Sequence, residues 1–230
     1  ISINGGNFKI TGNTVKKSGT YGIYTEGSKA SGSISKNTVD KTTSGNGIRV
    51  CDGKISLTGN TVKNTKSQGI YVVKGTITLK DNTVSATGDK GFKAAGGKVY
   101  FVSGNAKMLL SGNNLIVQGT ADSKATTIDI PAKVAVGNVS YNVTSVQKGA
   151  FKGNTKLTGV TMGTNVKKIG DSAFESCTKL KTVKISSTKL NSIGKKAFYG
   201  CKALTTVTLK TTKLTNSNVG ANAFGKTKAS

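Results

Sequence analysis

Residues 180–198 read LKTVKISSTKLNSIGKKAF, and the same apolar skeleton recurs on both sides of them. Leu180, Val183 and Ile185 align with Leu157, Val160 and Met162, and again with Leu204, Val207 and Leu209. Leu190 and Ile193 align with Val166 and Ile169, and with Leu214 and Val219. Ala-Phe pairs punctuate the series at 150–151, 173–174, 197–198 and 223–224, at intervals of 23, 24 and 26 residues. A period of roughly 20–50 residues marks a solenoid, in which each repeat buries its apolar face by stacking on its neighbours. The last repeat departs by two extra residues around Asn216–Asn218, so a bulged turn is expected there.

Upstream, a second period runs on a different motif. Asn-Thr-Val occurs at 13–15, 37–39, 60–62 and 82–84, spaced by 24, 23 and 22 residues. The pairs Gly22-Ile23, Gly47-Ile48, Gly69-Ile70 and Gly91-Phe92 keep the same rhythm. Between them lie alternating segments such as Lys54-Ile55-Ser56-Leu57 and Thr76-Ile77-Thr78-Leu79. Alternation over a few residues reads as a strand with one buried face. Three strands per period and no helical stretch describe a coil of a parallel β-helix, about five coils in all. Asn tolerates left-handed backbone angles and its amide can bond the equivalent group one coil away, so Asn13, Asn37, Asn60 and Asn82 should form a ladder at one corner. Asn105 and the segment Leu110-Ser-Gly-Asn113-Asn-Leu115 both remain candidates for a fifth corner. Ile1 stands 12 residues before Asn13, as Ile48 stands before Asn60, so the chain starts inside a strand and further coils are expected ahead of it.

Between the two series, residues 126–146 read as a strand, a Gly137-Asn138 turn and a second strand ending at Val146. A two-residue Gly-Asn loop between alternating strands is a hairpin signal, here an adaptor that starts the second stack. The expected domains are residues 1–117, parallel β-helix coils, and residues 118–230, the adaptor and the second set of repeats. The fold class is all-β: a tandem solenoid with low helix content and parallel strands in each stack.

The pattern Leu-x-x-Val-x-Ile, Val-x-x-Ile-Gly, Ala-Phe, x-x-Cys resembles the BspA-like leucine-rich repeat of bacterial surface proteins, over residues 126–230. The first half is similar, in coil geometry alone, to the right-handed β-helix family that includes pectate lyases. The BspA-like resemblance implies a secreted or wall-anchored protein on the bacterial surface, in a group of which some members bind host matrix proteins.

Composition narrows the function classes. The chain of 230 residues has no Trp, no His, one Pro and 30 Gly, with a net charge of +25. Arg49 is the only arginine. The charge favours anionic partners and steers them from a distance, or else serves as a mutually repelling, solubilising surface. Specific nucleic-acid recognition is not expected, because bidentate Arg contacts and aromatic stacking platforms are scarce. No apolar run approaches the length of a membrane span. Three cysteines without a Cys-x-x-Cys motif or any His give a zinc site no support, and no cofactor is implied. Cys177 and Cys201 occupy one slot in successive repeats and read as buried thiols, although neighbouring strands lie near enough for a disulfide.

A β-helix invites the alternative of a polysaccharide lyase, a glycosidase or an inactive remnant of one. Such chemistry needs clustered carboxylates. The best pair is Glu26 and Asp52, expected one coil apart with Arg49 and Lys74 nearby, and local charge balance at a turn is the favoured reading of it. The binding candidates are Thr161, Lys184 and Thr208, which alternate with buried positions and so face outward, flanked by Thr182 and Thr206. A Thr/Lys sheet presents hydroxyl and ammonium groups to acidic glycans, cell-wall polymers or host matrix proteins; Thr rows are also ordinary strand formers. The sequence reading is a non-enzymatic extracellular or cell-surface segment serving adhesion or spacing, with oligomeric state left open.

Overall fold

The computed structural model describes residues 1–228, and among them 24 strands and no helix are found. The chain divides into two compact units, Ile1–Phe101 with Ala135–Ser140, and Val102–Val134 with the chain from Tyr141 onward.

The first unit is a coil of three walls. Ser2–Asn4, Ile23–Glu26, Ile48–Val50, Ile70–Val72 and Phe92–Ala94 stack as parallel rungs of one wall. Asn7–Thr11, Ser31–Ser35, Lys54–Thr58 and Thr76–Lys80 are parallel rungs of the next, followed by Lys98–Ser103. Thr14–Ser18, Thr38–Thr42, Thr61–Thr65 and Thr83–Thr87 form the third. Five rungs in two walls and four in the third match the coil count read from the periods.

Alternation decides what lies inside. Ile23, Ile48, Ile70 and Phe92 fall in one register column and all are fully buried. The glycine before each of them is required by close approach. A Cβ on Gly69 would lie 2.1 Å from Val84 Cγ1 and 2.8 Å from the Gly91 carbonyl oxygen, and Gly47 is crowded in the same way by Val62 and Gly69. The asparagine ladder is present as four members. Asn13, Asn37 and Asn60 each donate through Nδ2 to the Oδ1 of the next, at 3.0, 3.1 and 2.9 Å, ending at Asn82. Each rung thereby satisfies buried polar groups at a corner where strand pairing stops.

Neither candidate fifth corner continues the ladder. Asn82 Nδ2 turns instead to the carbonyl oxygens of Leu57 and Lys80. Asn105 donates weakly to Thr127 O at 3.5 Å. The segment around Leu110–Leu115 is the tip of an antiparallel hairpin, Ala106–Ser111 against Asn114–Thr120. This corrects the expectation of parallel strands throughout. The physical reason is the loop: Gly112, at φ 56°, and Asn113 form a two-residue connection, which reverses the chain. The same dipeptide at 137–138 behaves as expected, with Gly137 at φ 63° between Lys133–Val136 and Val139–Val146, which pair.

In the second unit, Asn114–Thr120 is followed by Val139–Val146, Lys168–Ile169 and Ser192–Ile193 as successive parallel rungs. The opposite wall is Thr127–Ile130, Gly159–Met162, Thr182–Ile185 and Thr206–Leu209. Thr127–Ile130 is therefore a full rung of the repeat sheet, a second departure from the reading of 126–146 as adaptor alone. The core between the walls holds the apolar skeleton except in the last rung, where Val207 is half-buried and Leu209 exposed, and Phe151, Phe174, Phe198 and Phe224 stack in one column. Their centroids are 4.9, 5.0 and 5.2 Å apart and the rings lie within 10° of parallel. That spacing is the strand repeat itself, so each ring fills one coil. The alanines sit where backbones meet: Phe151 N donates to Ala173 O and Phe174 N to Ala197 O, both at 2.7 Å.

Candidate ligand-binding face

The outward side of the wall from Thr127–Ile130 to Thr206–Leu209 gathers all five binding candidates. Register pairs Asp129 with Thr161, Thr161 with Lys184, and Lys184 with Thr208 in one column. The neighbouring column runs Thr127, Gly159, Thr182, Thr206. Ile128, Val160 and Val183 between the columns point into the core, while Thr161, Thr182, Lys184, Thr206 and Thr208 are exposed. A shallow depression of about 520 Å³ lies over these two columns. Gly159 leaves the only side-chain gap in its column, and a Cβ there would meet Thr182 Oγ1 at 3.3 Å.

Charge on this face is graded. Thr161 Oγ1 donates to Asp129 Oδ1 at 2.5 Å, so the first rung is negative and partly self-satisfied. Lys184, two rungs on, has no carboxylate within ion-pair distance among the described residues. Thr208 stands one rung from Lys184, at the strand spacing of about 4.8 Å, and Thr182 and Thr206 occupy the neighbouring column. Chemically the face offers a lattice of hydroxyl donors and acceptors around the ammonium of Lys184. Sequence reading missed Thr127 and Asp129, although Thr127-Ile-Asp-Ile130 carries the same alternation as Thr182-Val-Lys-Ile185; the nearby hairpin signal drew the segment into the adaptor.

The carboxylate candidates are each engaged locally. Tyr24 donates its hydroxyl to Glu26 Oε2 at 2.5 Å, and this bond, with contributions from Cys51 and burial, pushes the Tyr24 pKa up. Asp52 accepts from the Gly53 amide at 2.7 Å and stands 4.0 Å from Lys74 Nζ. Arg49 lies over the rings of Tyr21 and Tyr71, at 5.5 and 4.8 Å from their centroids. Among the described residues no group of three or more His, Cys, Asp or Glu side chains converges as metal donors.

Cys177 and Cys201 are free and buried. Their thiols donate to the carbonyl oxygens of Phe151 and Phe174, each at 3.1 Å. The neighbouring Cys201 thiol, then burial, pushes the Cys177 thiol up, away from the nucleophilic thiolate.

Comparison with known proteins follows the two periods. Residues 1–115 match the right handed beta helix region, and residues 123–230 match the BspA type leucine rich repeat region in six copies. No curated protein matches the chain. A solved leucine-rich repeat protein from Bacteroides ovatus ATCC 8483 is 28% identical with a TM-score of 0.49, over 55% of this chain and 33% of that one. One from Bacteroides capillosus ATCC 29799 is 29% identical with a TM-score of 0.45, over 57% of this chain and 98% of that one. A leucine rich cell surface protein from Faecalibacterium prausnitzii A2-165 is 22% identical with a TM-score of 0.36, over 56% and 47%. The chain thus spans about a third of the Bacteroides ovatus protein and nearly all of the Bacteroides capillosus one. Over residues 1–115 the chain belongs to the right-handed β-helix family, and residues 123–230 are a BspA-type leucine-rich repeat region.

Proposed function

We propose that this chain is a non-enzymatic segment of a secreted or cell-surface bacterial protein, whose Thr/Lys face binds an anionic glycan or an anionic host protein in adhesion. The observation that carries this reading is the exposed lattice of Thr161, Thr182, Lys184, Thr206 and Thr208 on one parallel sheet, with Lys184 unpaired among the described residues. A single hydroxyl hydrogen bond contributes only about 0.5–1.5 kcal/mol net, so binding here depends on several rungs engaging one extended ligand. A net charge of +25 steers an anion toward the molecule, and salt weakens that attraction. Asp129 repels an anion at the first rung, which centres binding on the three later rungs.

Arrays of acidic and neutral glycans and of matrix proteins, probed at low and at physiological salt, test the proposal. Acidic ligands should bind in a salt-sensitive manner. Lys184→Ala and Thr208→Ala should weaken them, and Asp129→Asn should tighten them. No binding to any ligand at low salt removes the adhesion role and leaves a spacer.

A further inference from the structure

The first wall of the β-helix unit carries a feature that the Thr/Lys face does not use. Its outward column runs Tyr24, Arg49, Tyr71 and Lys93 on consecutive rungs. Tyr21 adds a ring stacked on Tyr24, with centroids 5.2 Å apart and planes 14° from parallel. The Arg49 guanidinium lies over both Tyr21 and Tyr71, and Lys93 Nζ lies 5.8 Å from the Tyr71 centroid. Three of the six tyrosines and the sole arginine of 34 basic residues thus share one half-buried stack on the outer side of this wall.

Strand formation does not require these side chains, since Thr would serve the same outward positions. What the stack supplies is pre-organisation. Each long side chain is held by the ring or cation one rung away, so little rotamer freedom is left to lose when a partner docks. Tyr and Arg are also the residue types that carry most of the energy in protein interfaces, whereas Lys, abundant elsewhere here, is depleted in them. One side of the Arg49 guanidinium meets the Cys51 thiol, and of its five N–H donors enough are left to hold a carboxylate in bidentate fashion. The local carboxylates are engaged within the wall, Glu26 by Tyr24 and Asp52 beside Lys74. Ring faces are turned to each other and to the cations, and the Tyr24 hydroxyl is taken by Glu26, so the Tyr21 and Tyr71 edges and the guanidinium, rather than open faces for a sugar ring, meet a partner.

We propose that Tyr21, Tyr24, Arg49, Tyr71 and Lys93 form a protein-docking hot spot for an acidic polypeptide segment, with an Asp or Glu carboxylate seated on Arg49. The inference is independent of the Thr/Lys face, and its failure and the failure of that reading are separable by variant.

The test is selection of a random displayed-peptide library on the whole chain, with the Tyr24→Ala/Tyr71→Ala variant as counter-selection, followed by affinity measurement on synthesised winners. The expected winners are rich in Asp and Glu. Their affinity should fall at least ~10-fold in Tyr71→Ala and in Arg49→Lys, while Lys168→Ala, at an exposed lysine outside both faces, leaves it unchanged. The Arg49→Lys variant keeps the charge at the same position, so its effect separates stacking and bidentate contact from simple attraction. Three results overturn the proposal: no peptides enriched over counter-selection, winners indifferent to Arg49→Lys, or neutral oligosaccharides as the sole ligands lost in Tyr71→Ala.

Discussion

Asn60 offers the sharpest test of how the β-helix corner is held. Its side chain is completely buried and makes four hydrogen bonds. Its Oδ1 accepts from Asn37 N at 3.0 Å and Asn37 Nδ2 at 3.1 Å, and its Nδ2 donates to Ile34 O at 2.8 Å and Asn82 Oδ1 at 2.9 Å. Asn60→Ala removes all four. Two partners keep a substitute: Asn37 Nδ2 still reaches Ile10 O, and Asn82 Oδ1 still accepts from Asn60 N. The Asn37 amide loses its side-chain acceptor, and Ile34 O loses its side-chain donor. Stranding a buried polar group costs about 1–3 kcal/mol, and each replaced bond about 0.5–1.5, so a total of about 3–6 kcal/mol is expected.

Asn13→Ala is the control, because it removes the same residue type at the exposed end of the ladder. Its Nδ2 donates to Asn37 Oδ1 at 3.0 Å and to Thr11 O at 3.2 Å, where water can replace the lost groups. The expected cost is about 1 kcal/mol or less. Urea unfolding followed by far-UV circular dichroism reads the total, and amide hydrogen exchange at Asn37 reads the local loss. A difference of about 2 kcal/mol corresponds to roughly 30-fold faster exchange. If Asn60→Ala and Asn13→Ala cost the same within about 0.5 kcal/mol, the ladder is not what holds this corner.

Other substitutions probe the two cores and the charge. Thr25 is fully buried with no partner for Oγ1 among the described residues, so Thr25→Val should raise stability by about 1 kcal/mol or more, measured by the urea midpoint. Phe174→Ala opens a gap in the ring column and should cost about 3–5 kcal/mol, whereas Phe224→Ala, at the half-buried end, should cost clearly less. Lys152 at 2.9 Å, with Ser172, holds Glu175 below its ordinary value of 4.5. The Asn64 amide, then Lys63, holds Asp40 below 3.8. A depressed carboxylate adds stability that is fully present above its unfolded value and is lost as pH falls through the folded one. The urea midpoint should therefore be flat down to about pH 5 and decline below it, and Glu175→Gln should flatten that decline.

Legibility followed the kind of signal each residue carries. Inward positions were readable because a buried wall leaves no freedom: Leu180, Val183 and Ile185 recur where the core needs them, and Ile23, Ile48 and Ile70 lie in the column their spacing required. Outward positions followed by alternation, which is why Thr161, Lys184 and Thr208 fall on one column. Chain reversal was harder. Gly112-Asn113 and Gly137-Asn138 carry the same turn chemistry, yet the first sits where an Asn corner was due by period. Local turn preference and global repeat gave opposite readings of Leu110–Leu115, and the two-residue loop prevailed because a positive φ at Gly112 closes it without strain.

The Tyr–Arg stack was hidden for a different reason. Tyr24, Arg49, Tyr71 and Lys93 share no residue type down the column, so a search for repeated identities passes over them. What they share is position, each one residue after the buried Ile or Phe that follows a crowded glycine. A parallel coil converts that shared position into contact at one strand spacing, so chemically different residues become neighbours by register alone. The same conversion makes Asp129 a member of the Thr/Lys face, although it lies 32 residues before Thr161. In a solenoid the unit of function is therefore the column. A ligand that spans rungs reads one residue from each coil, and substitution of a single outward residue can redraw such a site without disturbing the core that positions it.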